Sequence, residues 1–229
     1  MSEILRANCI DELKQALKLL NIDVPRRSAG RKTQHPERYS IAHLLSTIPH
    51  CRLSFPLGLT HGDKPDFVLA MPSFNVGIEH TEAVPENGAH AQSLREKGFG
   101  PELYFIHHAS PGEARKCKTQ LLDDLQKDNP GDGWVGDSPE REWAEAMAYF
   151  VSKKIAKAAA CQRHEENWLL VYDNWPLPSV KIAKAVAFLA PILNDLTAFQ
   201  IFDCVFVLDS SHLCEFRHSS AIYSSICLP

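Results

Sequence analysis

The chain contains no CxxC pair, and its cysteines are odd in number, seven, so at least one has no partner within the chain. Scattered at Cys9, Cys51, Cys117, Cys161, Cys204, Cys214 and Cys227, they fit neither a zinc ribbon nor a secreted disulfide framework and read as reduced thiols in and around a core. No apolar run approaches the roughly 20 residues that span a bilayer, so no membrane association of that kind is expected. The opening stretch MSEILRANCIDELKQALKLL lacks the charged-then-apolar pattern of a leader and has the spacing of an amphipathic helix; the expectation is a soluble cytoplasmic protein. GxxxxGK[ST] does not occur, and the one GxGxxG match, Gly131 to Gly136, falls in the stretch NPGDGWVGDSPE that reads as loop with no strand before it, which leaves nucleotide binding through those loops without support. GxSxG is missing too, and Asp209, Ser210, Ser211 and His212 are consecutive, which members of a hydrolase triad rarely are. Eleven histidines invite a zinc reading through His107, His108 or His212 with Cys214, but none of these has zinc-motif spacing. A formal net charge of −4 excludes a protein coated in basic residues.

Basic charge is concentrated in one place. The stretch PRRSAGRKTQHPER holds Arg26, Arg27, Arg31, Lys32 and Arg38 against Glu37 alone. As a flexible segment it has two readings: Arg26, Arg27, Arg31 and Lys32 contact nucleic-acid phosphates, or the segment is a solvated linker.

Periodicity divides the chain into one domain over residues 1–229. Residues 3–21 read as a helix, with the basic linker following to residue 35. A second helix starts near Pro36 and runs to about Ile48. Strands are expected over residues 52–60, interrupted by Pro56, and over 65–71 and 76–84, the last two joined as a hairpin. Residues 85–139 are rich in Pro, Gly and His and read as an insertion, with a short strand at 103–106 and a helix over 113–126. Residues 140–160 carry the strongest helical stripe, through Trp143, Met147, Phe150, Val151 and Ile155. The run WLLVY at 168–172 is apolar on both faces, as a central strand is. A helix over 180–196, a strand over 201–208 and a last strand at 213–217 complete a mixed sheet flanked by helices.

Two acids draw the chemistry together. A hairpin turn centred on Pro72 and Ser73 sets Asp66 opposite Glu79, where facing Cβ atoms stand about 4.5–5.5 Å apart. Carboxylates that close repel, and a divalent cation such as Mg2+ relieves the repulsion while keeping water and phosphate among its ligands. Gly77, Glu79 and Thr81 share one strand face; Ile78 and His80 take the other. On the simpler reading, Asp66 caps a strand start and Glu79 is an exposed strand residue. Against it, Glu79 lies in an otherwise apolar stretch, where an unpaired charge is costly.

Pro65-Asp66, a hairpin, and then Glu79-His80-Thr81 resemble the PD-(D/E)XK nuclease superfamily, and the element order is similar to its αβββαβ core. The resemblance covers roughly residues 36–85 and 140–175; residues 36–84 read as the first half of the core, 85–139 as a large insertion and 140–229 as the second half. It implies a restriction-endonuclease-like fold and metal-dependent hydrolysis of a phosphodiester, DNA favoured over RNA. Mg2+ or Mn2+ would be held by Asp66, Glu79 and the His80 carbonyl. The pattern departs at Thr81, where the family's lysine usually stands. In some branches that lysine moves to the following helix, which makes Lys154, among Lys153, Lys154 and Lys157, the candidate cation. The family often adds a glutamate on the first core helix, here Glu37. The alternative in the same fold is an inactive binding or interaction module. Oligomeric state is not legible in the sequence.

Overall fold

Strands buried on both faces need helices on both sides, and this chain supplies them. The computed structural model describes residues 2–158 and 163–229. Among these, the elements in chain order are β1 (Ser2–Ala7), α1 (Ile10–Leu19), α2 (Gln34–Thr47), β2 (Leu57–His61), β3 (Phe67–Ala70) and β4 (Asn75–Ala83). There follow α3 (Glu86–Arg95), α4 (Lys118–Lys127), α5 (Ser138–Ala158), β5 (Glu166–Asp173), α6 (Ile182–Asp195), β6 (Cys204–Leu208), β7 (His212–Arg217) and β8 (Ser220–Ser225). All eight strands form one open mixed sheet in sequence order. The central pairs β4·β5 and β5·β6 are parallel, and the others antiparallel. No helix of the described residues is long and apolar enough to cross a membrane.

Alternation along the central strands splits the core in two. Trp168, Leu170, Phe206 and Ile78 face one way, into a cluster with Leu13, Leu17, Ile41 and Leu45 of α1 and α2. Leu169, Val171, Val205 and Val207 face the other, against Trp143, Met147 and Val151 of α5 and Val186 and Leu189 of α6. At the end of β5 the Asp173 carboxylate accepts Trp143 Nε1–H at 2.6 Å and Trp175 N–H at 2.9 Å, tying the strand to α5. Leu94, Leu121 and Leu125 form a third, small cluster that joins α3 to α4.

Four expectations need correction. Residues 2–7 are a strand, not the start of a helix: Leu5 and Ala7 alternate inward, paired with Leu59 and Leu57 of β2. The helix begins only after Asn8, whose backbone and side-chain N–H groups both reach the Glu12 carboxylate. The expected strand at 103–106 is not one; it has no strand partner and Leu103 is 91% exposed. β2 starts at Leu57, with a short 3-10 turn at His50–Arg52 ahead of it. Sequence reading also missed α3 and β8, and placed the start of β6 three residues early. The end of the helix expected to reach residue 160, and Cys161, lie outside the described residues.

Candidate active site

The site starts from the register of one hairpin. In the β3·β4 ladder Phe67 pairs with Ile78 and Val68 with Gly77, so one further step sets Asp66 against Glu79. Asp66 Oδ2 accepts the backbone N–H of His80 at 2.6 Å, which fixes the carboxylate across the strand end.

Lys154 reaches this pair from α5. Trp143, Met147 and Val151 bury one stripe of that helix, and Lys154, three residues past Val151, stands at the margin of the stripe. From there its stem lies along the protein and its ammonium reaches the sheet. The Nζ is 2.6 Å from Glu79 Oε2 and 3.4 Å from Asp66 Oδ2, and the lysine side chain is only 19% exposed. Burial pulls the Lys154 ammonium down, but Asp66 and Glu79 outweigh this and hold its pKa above the ordinary value. Burial pushes the Asp66 carboxyl up, against the opposing pull of Lys154 and the His80 N–H, with the charges of Glu79 and Glu37 adding to the rise. Lys153 and Lys157 are exposed, and Lys153 lies over the Tyr149 ring at 5.1 Å. Thr81 follows on the Glu79 face and is not a cation; the positive charge comes from the helix.

The other face of β4 supports the pair. Glu37, buried on α2, lies near enough to Asp66 to act on its charge, and its Oε2 is 2.8 Å from His61 Nε2 on β2. Sequence reading missed His61, because that contact depends on how α2 crosses the sheet. His80 Nε2 is 3.2 Å from Ser40 Oγ, whose own hydrogen goes to the Pro36 carbonyl at 2.7 Å. Ser40 therefore accepts, and His80 is the neutral tautomer protonated at Nε2. Burial, with Lys154 adding, lowers its pKa to about 3.

The basic segment is neither flexible nor at the carboxylates. Arg27 and Arg31 both bind Glu82 Oε1, at 2.7 and 2.8 Å, and Asn174 Nδ2 donates to the same oxygen at 2.7 Å. Ser28 N–H donates to Glu96 of α3 at 2.7 Å, so the segment is folded onto the protein. Glu82 stands on the opposite strand face from Glu79. Arg26 and Lys32 are exposed.

Family models, curated proteins and solved structures give no significant match to this chain. The site must therefore be judged on its own donors. Among the described residues no set of three or more His, Cys, Asp or Glu side chains is arranged to hold a metal. Mg2+ does not require one, since it is often held by one or two carboxylates and keeps several waters. Glu79 Oε1 is buried with no hydrogen-bond partner, a carboxylate oxygen placed to take a cation. Asp66 and Glu79 supply oxygen donors of the kind a hard divalent ion takes.

A separate cavity of about 690 Å³ lies between α3, α4 and the 104–109 loop, lined by Arg95, Tyr104, His107, Leu121, Leu125 and Asn174 among others. The carboxylates do not line it.

Proposed function

We propose that this protein is a metal-dependent nuclease with a restriction-endonuclease-like core, DNA its favoured substrate. One observation carries the reading: a lysine from the helix after the insertion reaches both carboxylates of the β3·β4 hairpin. The order α2, β2, β3, β4, α5, β5 supports it, being that of an αβββαβ core. Asp66, Glu79 and the His80 carbonyl would hold Mg2+ or Mn2+, which when bound supplies a Lewis acid for the phosphate and lowers the pKa of its water. The His80 N–H holds Asp66 in place. Lys154 presents its ammonium where negative charge builds on the phosphoryl oxygens. Glu37 with His61 adds a second layer of charge behind Asp66.

The test is calorimetric titration of Mn2+ into wild type and Asp66→Ala, with plasmid and single-stranded cleavage run on the same samples. Wild type is expected to bind and cleave, and the variant to lose binding together with roughly a hundredfold or more of the cleavage rate. Binding without cleavage would favour the inactive binding module, the reading to which Thr81 at the usual lysine position points. A wild type that binds no Mn2+ even with nucleic acid present overturns the site.

A further inference from the structure

Phosphates arriving at Asp66 and Glu79 meet two carboxylates and a single lysine, with Glu37 behind them. Beyond the divalent ion proposed for the carboxylates, a cation beside the reacting group would hold the flanking backbone. The basic segment cannot provide it from the opposite face of β4, where Arg27 and Arg31 are held on Glu82.

A narrow crevice runs beside the carboxylates, lined by Pro65, Gly77, Glu79, Arg163, Trp168 and Phe202 among others. Gly77 and Glu79 share a strand face, so the bare position at 77 adjoins the glutamate. A Cβ there would come within 2.6 Å of His164 Cδ2 and 3.4 Å of Pro65 Cγ, so any larger residue would have to displace the His164 ring. Glu79, with its unpartnered Oε1, forms one wall. Arg163 forms another and is exposed. One Nη of Arg163 donates to the Gln200 carbonyl at 2.7 Å, which holds the guanidinium in position and uses one of its five donors. No carboxylate among the described residues forms an ion pair with it. An anchored, unneutralised guanidinium is suited to gripping a phosphate through paired N–H groups.

We propose that Arg163 binds a backbone phosphate of the nucleic acid in the crevice beside Glu79 and so sets the strand against the carboxylates. The inference rests on the nuclease reading above. Arg163 is a binding and positioning residue; it takes no part in the bond-breaking step.

The experiment measures binding of labelled duplex and single-stranded oligonucleotides by fluorescence anisotropy in EDTA, over roughly 50–200 mM salt, with steady-state cleavage in Mg2+ alongside. Arg163→Ala should weaken binding roughly tenfold. It should also make the slope of log affinity against log salt shallower by about 0.9 for duplex, or about 0.7 for single strands, the signature of one lost phosphate contact. KM should rise with kcat unchanged. Arg163→Lys should keep the wild-type slope, as should Arg27→Ala and Arg31→Ala. An unchanged slope in Arg163→Ala, with or without a fall in Tm, overturns the proposal and leaves Arg163 a structural tie to Gln200. Loss of slope in Arg163→Lys as well would overturn it, since charge would not be the cause. A wild type that neither binds nor cleaves removes the nuclease reading itself. A wild type that does both, beside an unaffected Arg163→Ala, removes only this inference.

Discussion

Lys154→Met is expected to cut cleavage by roughly two to three orders of magnitude while Mn2+ affinity at neutral to alkaline pH stays at or above that of wild type. The two effects separate because the ammonium has two relationships to the carboxylates. It sits 2.6 Å from Glu79 Oε2, so any divalent ion entering the site shares that oxygen with a resident cation or displaces it. Removing the ammonium removes the competition, and two partly buried acids are left with greater need of a counter-ion. On the proposed nuclease reading the same ammonium would face the charge that builds on the phosphate, and losing one such donor costs on the order of 10²–10³ in rate. Methionine keeps most of the stem volume, so α5 should still pack. Calorimetry and single-turnover cleavage on the same preparations provide the check. Parallel loss of metal binding and cleavage would mean that Lys154 organises the carboxylates and contributes no charge to the reaction.

The second large effect concerns stability and pH, and it comes from Asp173. Burial pushes this carboxyl from 3.8 up to about 6, in spite of the N–H groups that Trp175 and Trp143 direct at it, and the Asp209 charge adds to the rise. Between about pH 4 and 6 the folded chain therefore keeps a proton that the unfolded chain has released. Stability contributed by this group is present below the unfolded value and is lost as pH rises through that window, by on the order of 2–3 kcal/mol. His80 works in the other direction. Its folded pKa lies near 3 against 6.5 ordinarily, so the unfolded chain binds the extra proton and stability rises with pH over the same range. The wild-type profile is flattened by this opposition. Asp173→Asn removes one side of it. Near pH 4 the variant should lose about 1–3 kcal/mol, because its amide nitrogen faces an N–H that the Asp173 carboxyl oxygen accepts, and by neutral pH the relief from burying a charge should offset much of that loss. The gap between wild type and variant should shrink steadily from pH 4 to pH 6 apart from that hydrogen-bond cost. Urea melts at several pH values measure it, and a gap independent of pH would show that Asp173 titrates normally in the fold.

What could be read from the sequence follows from how local each interaction is. Asp66 and Glu79 were legible because a short turn fixes their register, and the ladder continues it without a bulge. Lys154 came from the resemblance; helical spacing alone makes it a margin residue like many others. Ile4 and Leu5 fit a helical stripe as well as a strand, and only the pairing of residues 2–7 with β2 decides between them. The Glu37–His61 pair, the Arg27 and Arg31 contacts to Glu82 and the seating of His164 on Gly77 each join distant parts of the chain. No spacing rule could have found them. The arginine cluster misled for the same reason: its density shows in the sequence, while the glutamate that holds Arg27 and Arg31 stands 55 positions away from Arg27.

The break between β4 and β5 has a consequence of another kind. Asp66 and Glu79 precede the insertion and Lys154 follows it, while the two halves meet along eight parallel pairs from Val76–Glu166 to Ala83–Asp173. Cutting the chain between Phe105 and Ile106, in a stretch without helix or strand, would leave each piece with a long buried edge that only the other can cover. Neither piece alone contains both the carboxylates and the ammonium. Co-expressed, they should reassemble, and if the proposed nuclease activity holds they should recover cleavage only together, so that activity would report that the halves have met.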